Sequence, residues 1–165
     1  MKRFDGFTLI ELLVTVSVLA ILLGIGIPSF NNFIHSSRLT SLTNELVTAT
    51  HFARSESIRL NRQVTLCRAA ANNSATCAGG GNTQWLHWLV MGGTVSRRGS
   101  PETVTNVLTT STFTDDQIRF NPDGLPAAGG AVLVCTTRLS NENRRVITIG
   151  PGNRISVDRA TGNCP

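Results

Sequence analysis

An apolar segment near the N-terminus limits what this chain can become more than any other feature. The short basic leader MKRFDG runs directly into FTLIELLVTVSVLAILLGIGIPSF, whose one charged side chain is Glu11. Residues 7–27 number 21, which as a helix span roughly 30 Å, the thickness of a bilayer core. In an ordinary secretory signal the small-residue cleavage site follows the apolar run. Here Gly6 precedes it, so cleavage at this glycine would leave the membrane segment on the chain.

The order of basic leader, Gly, Phe, Thr, Leu, Ile and Glu resembles the class III signal of type IV pilins and type II secretion pseudopilins. The resemblance implies that a membrane-embedded prepilin peptidase cuts after Gly6 and methylates the new terminal amine, that of Phe7. Glu11 matches the glutamate of that family, and Pro28 matches its helix-kinking proline. Asp5 departs from the positive character of the leader without touching the motif residues.

Glu11 needs a partner for physical reasons as well. A carboxylate within hydrocarbon costs roughly 2.5 to 3.5 kcal/mol, and less near the interface. No basic side chain lies within reach in the sequence. The amine of Phe7, exposed by cleavage, lies four residues away or on a neighbouring subunit, and an assembly charge pair between Phe7 and Glu11 would neutralise both groups and set the axial register. The alternative is a Glu11 carboxyl that is protonated or reaches the lipid headgroups.

The charge of the chain is carried by arginine. The formal net charge is +5; removal of Lys2, Arg3 and Asp5 leaves 13 basic and 9 acidic residues, or +4. The mature chain then contains no lysine. A guanidinium suits carboxylate, phosphate and interface contacts, although each such charge can equally serve to solubilise the surface.

Four cysteines follow the membrane segment, and the charged leader should remain cytoplasmic. The body therefore faces an oxidising compartment, which favours disulfides. No metal site is expected, because the cysteine spacing lacks paired CxxC motifs and the three histidines form no ligand series. Three connectivities are possible; local closure favours Cys67 with Cys77, and Cys135 with Cys164.

Beyond Pro28 the pattern becomes amphipathic, with apolar residues at spacings of three, four or seven. We expect one helix from near Phe7 to about Arg59, bent near Gly24, Gly26 and Pro28. Trp85 and Trp88 are expected in the core, with His87 facing solvent between them. Short β-prone runs separated by Gly, Pro, Asn and Asp follow the helix. The predicted strands are 63–68, 85–91, 102–108, 117–121, 131–136, 145–149 and 154–158.

The predicted fold is therefore α+β: a long N-terminal helix, first transmembrane and then amphipathic, packed on one or two antiparallel sheets. We divide the chain into a leader (1–6), a transmembrane and assembly helix (7–28), an amphipathic helix (29–62) and a β-rich body (63–165). The last two strands should form a hairpin across GPGN, with Ile147, Ile149, Ile155 and Val157 on one side.

The body resembles the FimT, FimU and GspH branch of the pilin superfamily. The residues that carry this likeness are VTLC (64–67), WLHWLVM (85–91), FNPDGLP (120–126) and GNRISV (152–157). With two expected disulfides, the chain is most similar to a FimU-type minor pilin. The resemblance implies a place near the filament tip and a role in priming assembly of the major subunit. The implied partners are other minor pilins, the major pilin, the prepilin peptidase and the inner-membrane assembly platform. It also implies a single-pass inner-membrane protein with a periplasmic body, which enters an extracellular pilus.

The sequence offers no convincing active site and implies no cofactor. A GxSxG nucleophile motif is absent, and Gly79, Gly80 and Gly81 lack the Lys and Ser/Thr of a phosphate loop. Asp115 and Asp116 are interpreted as an exposed acidic turn.

Two alternatives keep the same fold. The first is DNA capture during natural transformation, with phosphate contacts from Arg144, Arg145, Arg154 and Arg159. DNA-binding relatives carry Gly-Arg-x-Arg near the C-terminus, whereas this chain reads Gly-Asn-Arg-Ile from Gly152, so these arginines could equally contact neighbouring pilins. The second alternative is a type II secretion pseudopilin, whose leader, anchor and body would look nearly the same.

Overall fold

The computed structural model describes residues 8–80, 84–100, 107–152 and 154–165, and no side chain is described for residues 25–28. The cleavage junction of Gly6 and Phe7 lies outside the described residues. The chain divides into two compact units, one ending at Ile34 and the other comprising His35–Pro165. Each unit is described by itself below.

A single helix, α1, extends from Leu9 to Leu60 over 52 residues, as the apolar and amphipathic patterns predict. The helix continues through Gly24, Gly26 and Pro28 and does not end at the proline. The bend expected there stays a prediction. The boundary predicted at residues 28 and 29 likewise falls inside this element.

The C-terminal end of α1 has a clear local cause. Asn61 adopts a positive φ of 46°, in the left-handed region that asparagine tolerates better than most residues. Its backbone N–H donates to the Ile58 carbonyl at 3.2 Å, and the Arg62 N–H donates to the Ser57 carbonyl, also at 3.2 Å. This pair of bonds is the Schellman pattern, which satisfies the last helical carbonyls and turns the chain toward the first strand.

One face of the second part of α1 is buried in the body. Leu39, Leu42, Leu46, Ala49 and Ala53 are each at most 4% exposed, which confirms the apolar face predicted from their spacing. The hydroxyl groups of Thr43 and Thr50 on this part of the helix donate to the carbonyls four residues earlier, at 2.7 Å. These two hydroxyl groups therefore lie in the interface without unpaired donors.

The body contains two four-stranded antiparallel sheets. The first has the order β3-β2-β1-β5 and the second β4-β6-β7-β8. The strands of the first sheet are β1 (Val64–Ala69), β2 (His87–Met91), β3 (Val95–Gly99) and β5 (Gln117–Phe120). Those of the second are β4 (Val107–Ser111), β6 (Gly130–Thr136), β7 (Arg144–Ile149) and β8 (Ile155–Ala160). A short 3-10 turn, Thr114–Asp116, precedes β5.

Most predicted strands coincide with observed ones to within two residues at each end. Of the strand predicted at 102–108, residues 102–106 lie outside the described part of the chain, and the described strand β4 continues to Ser111. Strand β3 was not predicted. It reads VSRRG, and its three central residues are exposed, so it has no alternating apolar pattern.

The inner faces of both sheets and the buried face of α1 share one core. In the first sheet, Leu66 of β1 pairs with Val90 on one side and Ile118 on the other. In the second, Ile147 pairs with Val157 and Ile149 with Ile155, as predicted for the terminal hairpin. All of these except Ile155 and Val157 are buried. Burial of one such aliphatic side chain contributes about 1.5 to 3 kcal/mol.

Both tryptophans belong to this core, as predicted: Trp85 is 2% exposed and Trp88 is 3% exposed. His87, predicted to face solvent, is half-buried. One of its ring nitrogens lies 2.9 Å from Ser100 Oγ. The histidine thus serves local packing between β2 and the end of β3.

Two disulfides tie down the loops of the body. Cys67 is bonded to Cys77 and Cys135 to Cys164, with Cα–Cα distances of 5.7 and 5.8 Å. This is the pairing that local closure favours. The second bond attaches the C-terminal tail to the outer face of the second sheet, because Cys135 alternates along β6 with the inward-facing Val132 and Val134.

Candidate functional site

The first part of α1 presents an apolar surface with no partner among the described residues. By length and composition this helix is able to cross a membrane, and none of its most apolar 18-residue window is buried. Leu9 is 81% exposed and Ile21 is 64% exposed. A monomeric soluble protein rarely leaves so large an apolar surface in water. This surface is therefore compatible with lipid or other protein subunits around it.

Glu11 lies in the first turn of this helix, and its side chain is exposed among the apolar ones. Its backbone N–H donates to Thr8 Oγ1 at 3.3 Å. Two other polar side chains of the segment are internally satisfied, because Thr15 and Ser17 donate to the Leu12 and Leu13 carbonyls at 2.8 Å. An ionised carboxylate cannot donate a hydrogen bond to a backbone carbonyl in this way. Among these polar side chains, Glu11 is therefore the one that needs a partner outside its own helix. Phe7 lies outside the described residues, so the pair of Phe7 and Glu11 stays a prediction.

The four arginines of the terminal hairpin have different environments. Arg145 is 3% exposed, and its Nη1 donates to the Glu142 carbonyl at 2.7 Å and to the Arg144 carbonyl at 2.9 Å. Burial, followed by the positive charge of Arg159, lowers the pKa of Arg145. Its guanidinium is thus engaged within the body and is not presented to a partner.

The other three arginines do not form one continuous cationic surface either. Arg159 lies opposite Arg145 in the β7–β8 register and binds Glu142, with Nη1 3.2 Å from Oε2. Arg154 is exposed just before β8. Arg144 is the strand neighbour of Arg145 and so belongs to the opposite sheet face, where it lines a groove. The structure therefore does not bring together the four side chains that the sequence groups.

The predicted acidic turn needs a correction. Asp115 is exposed, but Asp116 is fully buried. Ser111 Oγ donates to Asp116 Oδ1 at 2.6 Å, and Asp116 Oδ2 lies 3.5 Å from Arg68 Nε. Arg68 belongs to the first sheet and Ser111 to the second, so the carboxylate of Asp116 links the two sheets. The expectation of exposure was wrong for Asp116, because the sequence neighbours of this residue do not reveal that Arg68 lies beside it.

Further contacts lie on the helix side of the body. Arg97 of β3 lies over the ring of Phe52, 5.3 Å from its centroid. Glu56 accepts two hydrogen bonds from Arg59, at 2.7 and 2.8 Å. The hydrogen bond from Arg59 lowers the pKa of Glu56. Among the residues that the structure describes, no group of three or more His, Cys, Asp or Glu side chains could hold a metal ion.

Comparisons with known families give two matches along the chain. A family model described as "Type II transport protein GspH" matches residues 42–153. A second, described as "Prokaryotic N-terminal methylation motif", matches residues 1–27. The first match covers more than half of the chain, and the second covers the leader, Glu11 and most of the apolar segment.

A relative of known name and two solved structures are also similar. The chain is 34% identical over 82 residues to "Prepilin peptidase-dependent protein D" of Escherichia coli K12, and it spans about half the length of that relative (49%). Two crystal structures of the type IV minor pilin FimU of Pseudomonas aeruginosa PAO1 match with TM-scores of 0.61 and 0.57. Both are 15% identical; the matches cover 81% and 76% of this chain and 99% of each FimU chain. The fold is therefore that of FimU: one long N-terminal helix on antiparallel sheets.

Proposed function

This chain belongs to the GspH family, a pilin-like family, and from that premise we propose that it is a minor pilin that helps to initiate a type IV pilus and is incorporated near its tip. The observation that carries this proposal is the exposed apolar surface of the first part of α1. The same helix continues into the amphipathic part, one face of which packs into the body. Such a helix is suited to exchange lipid for the helices of neighbouring subunits, because both surroundings keep its side chains out of water.

Processing of the N-terminus is the first step of this proposal. We propose that residues 1–6 are removed by a prepilin peptidase, and that the Phe7 amine is then methylated. The match of residues 1–27 to the methylation motif supports this step. So does the similarity to an E. coli protein whose name states that it depends on a prepilin peptidase. Cleavage after Gly6 leaves the apolar segment attached and places a cationic amine four residues before Glu11.

The second step of the proposal is assembly, which depends on the two charges present after cleavage, the Phe7 amine and the Glu11 carboxylate. In the proposed filament, Glu11 of one subunit pairs with the Phe7 amine of a neighbour, while residues 7–28 pack together and residues 63–165 face outward. Before assembly the chain is a single-pass inner-membrane protein with its body in the periplasm; afterwards it is part of an extracellular pilus. The proposed partners are other minor pilins, the major pilin and the inner-membrane assembly platform. The proposed role is structural, so the chain is a substrate of the peptidase rather than an enzyme.

A second candidate is a pseudopilin of a type II secretion system, and the description of the matching GspH family favours it. The fold and the N-terminal helix are expected to be the same in both cases, so they do not distinguish a type IV pilus subunit from a secretion pseudopilin. DNA capture has less support, since Arg145 is buried and Arg159 is paired with Glu142.

Fractionation of cells that produce an epitope-tagged full chain would test the proposal. We expect the tag in surface pili recovered by shearing, and immunogold label concentrated at filament ends. Cross-linking mass spectrometry on the same filaments should give peptides shared with other minor pilins. Absence of the tag from sheared pili, together with co-purification with secretion-system subunits, would replace the pilus assignment by the pseudopilin one. Label distributed evenly along the filament would contradict the tip position alone.

A further inference from the structure

An open groove of about 520 Å³ lies on the outer face of the second sheet. Its floor is formed by Ala131, Leu133 and Val146, and its sides include Thr110 and Arg144. These apolar floor residues are half-buried. The groove thus differs from the usual solvent face of an antiparallel sheet, which is mostly polar.

The register of the sheet and the C-terminal tail together build this groove. Thr110 pairs with Leu133, and Leu133 pairs with Val146, so the three side chains form one row across β4, β6 and β7. The disulfide of Cys135 and Cys164 brings the tail over the same face. The tail is held further by Asn143, whose side chain donates to the Gly162 carbonyl at 2.8 Å and accepts from the Gly162 N–H at 3.0 Å. One side of the groove is therefore fixed by a covalent bond and two hydrogen bonds.

Arg144 is the charged side chain of this groove, and its hydrogen bonding is incomplete. Its Nε is shielded from solvent and has no hydrogen-bond acceptor among the described residues. The guanidinium lies beside Gly162, where a Cβ atom would come within 2.9 Å of it. A buried donor without an acceptor is unfavourable. An incoming carboxylate would accept hydrogen bonds from the guanidinium of Arg144 and neutralise its charge.

We propose that this groove binds an extended segment of a neighbouring subunit, in which an apolar side chain covers Leu133 and Val146 and an adjacent Asp or Glu binds Arg144. This inference rests on the proposed function, because it assigns a face of the body to a contact within the filament. The open shape favours a protein segment, since small ligands are held in pockets that enclose most of their surface. Arg144 lies beside the apolar floor of the groove, and arginines next to apolar surface often contribute strongly to binding in protein interfaces.

Site-specific photocross-linking in cells that assemble the filament would test this inference on the full chain. Benzoylphenylalanine at position 110 places the reactive group in the groove. In the wild-type background we expect a covalent adduct with another filament subunit, and we expect the adducted peptide to contain an Asp or Glu within a few residues. Arg144→Glu should lower both adduct formation and recovery in sheared filaments about tenfold, because it sets a negative charge against the incoming carboxylate.

The matched control is Arg62→Glu, which changes the net charge equally from an exposed position outside the groove and should leave both yields within twofold of wild type. Protease resistance and disulfide formation in membranes report whether each variant folds. If Arg144→Glu does not fold, Arg144→Met removes the charge but keeps the length of the side chain, and the same direction of effect is expected.

The outcomes separate this inference from the proposed function. Three outcomes would overturn the groove contact alone, provided that the wild-type chain is recovered in filaments. They are the absence of an adduct at position 110, an adduct only with lipid, and an adducted peptide without an acidic residue. Equal losses for Arg144→Glu and Arg62→Glu would also overturn the groove contact, since net charge would then explain the effect. Absence of the wild-type chain from every filament preparation would instead overturn the proposed function, and the groove contact with it.

Discussion

The indole nitrogen of Trp88 donates a hydrogen bond to a carboxylate oxygen of Glu45 at 2.9 Å. Glu45 lies on α1 and Trp88 on β2, separated by 43 residues in the sequence. The ring of Trp88 is buried, whereas Glu45 is half-buried at the edge of the interface. Trp88 therefore fills the core beneath the helix without leaving its polar N–H unpaired.

Replacement of Glu45 tests this hydrogen bond between helix and sheet. Glu45→Met keeps a helix-forming side chain of similar length but removes the acceptor, so we expect a loss of about 1 to 2 kcal/mol in the free energy of unfolding. Glu45→Gln retains an acceptor oxygen and should lose less than half as much. Urea unfolding of the soluble fragment 29–165, which contains the compact unit His35–Pro165, measures both. Equal losses would show that the hydrogen bond contributes little.

Asp116 should matter more to stability than its neighbour Asp115. Asp116→Asn removes a buried charge next to Arg68 and should lower the free energy of unfolding by about 3 kcal/mol. Asp115→Asn is the matched control, because both residues have positive φ values, 57° and 54°, and asparagine tolerates that region. It should change stability by less than about 0.5 kcal/mol. Similar effects of the two substitutions, measured on the same fragment, would contradict a link between the sheets through Asp116.

Glu56 should make the body sensitive to acid. Because Arg59 lowers the pKa of Glu56 in the folded protein, the stabilisation is fully present above the unfolded pKa of about 4.3 and is lost as the pH falls through the folded pKa. The stability difference between wild type and Glu56→Gln should be constant from pH 5 to 7 and shrink below about pH 4.3. Salt should reduce the difference, since the Arg59 side chain is 67% exposed. Denaturant unfolding across this pH range measures the effect, and a difference that grows in acid would contradict it.

Glu11→Gln tests the charge pair proposed for assembly. The substitution keeps the size of the side chain but removes the charge that would neutralise the Phe7 amine of a neighbour, so recovery in sheared filaments should fall about tenfold. Immunoblots must first show that the variant is made and that residues 1–6 are removed as in wild type. Glu45→Gln, an equal change of charge in the body, should assemble normally. Undiminished incorporation of a correctly processed Glu11→Gln chain would refute the charge pair.

Several features of the fold follow from neighbours in the sequence. The spacing of Leu39, Leu42 and Leu46 predicts the buried face of α1, since a helix repeats every 3.6 residues. Alternation along β7 and β8 predicts that Ile147 and Ile149 share a side with Ile155 and Val157, since side chains in strands alternate. Local sequence fixes these elements because the periodicities are properties of the backbone itself.

Other features required the folded chain. Strand β3 lacks an apolar pattern, and it forms at the edge of the sheet because its backbone pairs with β2 and its Gly99 leaves room for the ring of Trp88. Asp116 resembles a solvated acid in the sequence, yet it is buried beside Arg68. Arg144 and Arg145 are adjacent in the chain but belong to opposite faces of β7, one lining a groove and the other engaged with backbone carbonyls.

The N-terminal methylation motif, the apolar segment and the helical and strand periodicities of this protein were thus determined by its sequence, because each depends on side chains a few positions apart. The order of the strands, the burial of Asp116 and the groove under the C-terminal tail were decided by the tertiary structure. The physical reason is that burial, charge pairing and sheet register depend on groups brought together from distant positions, which no local pattern specifies.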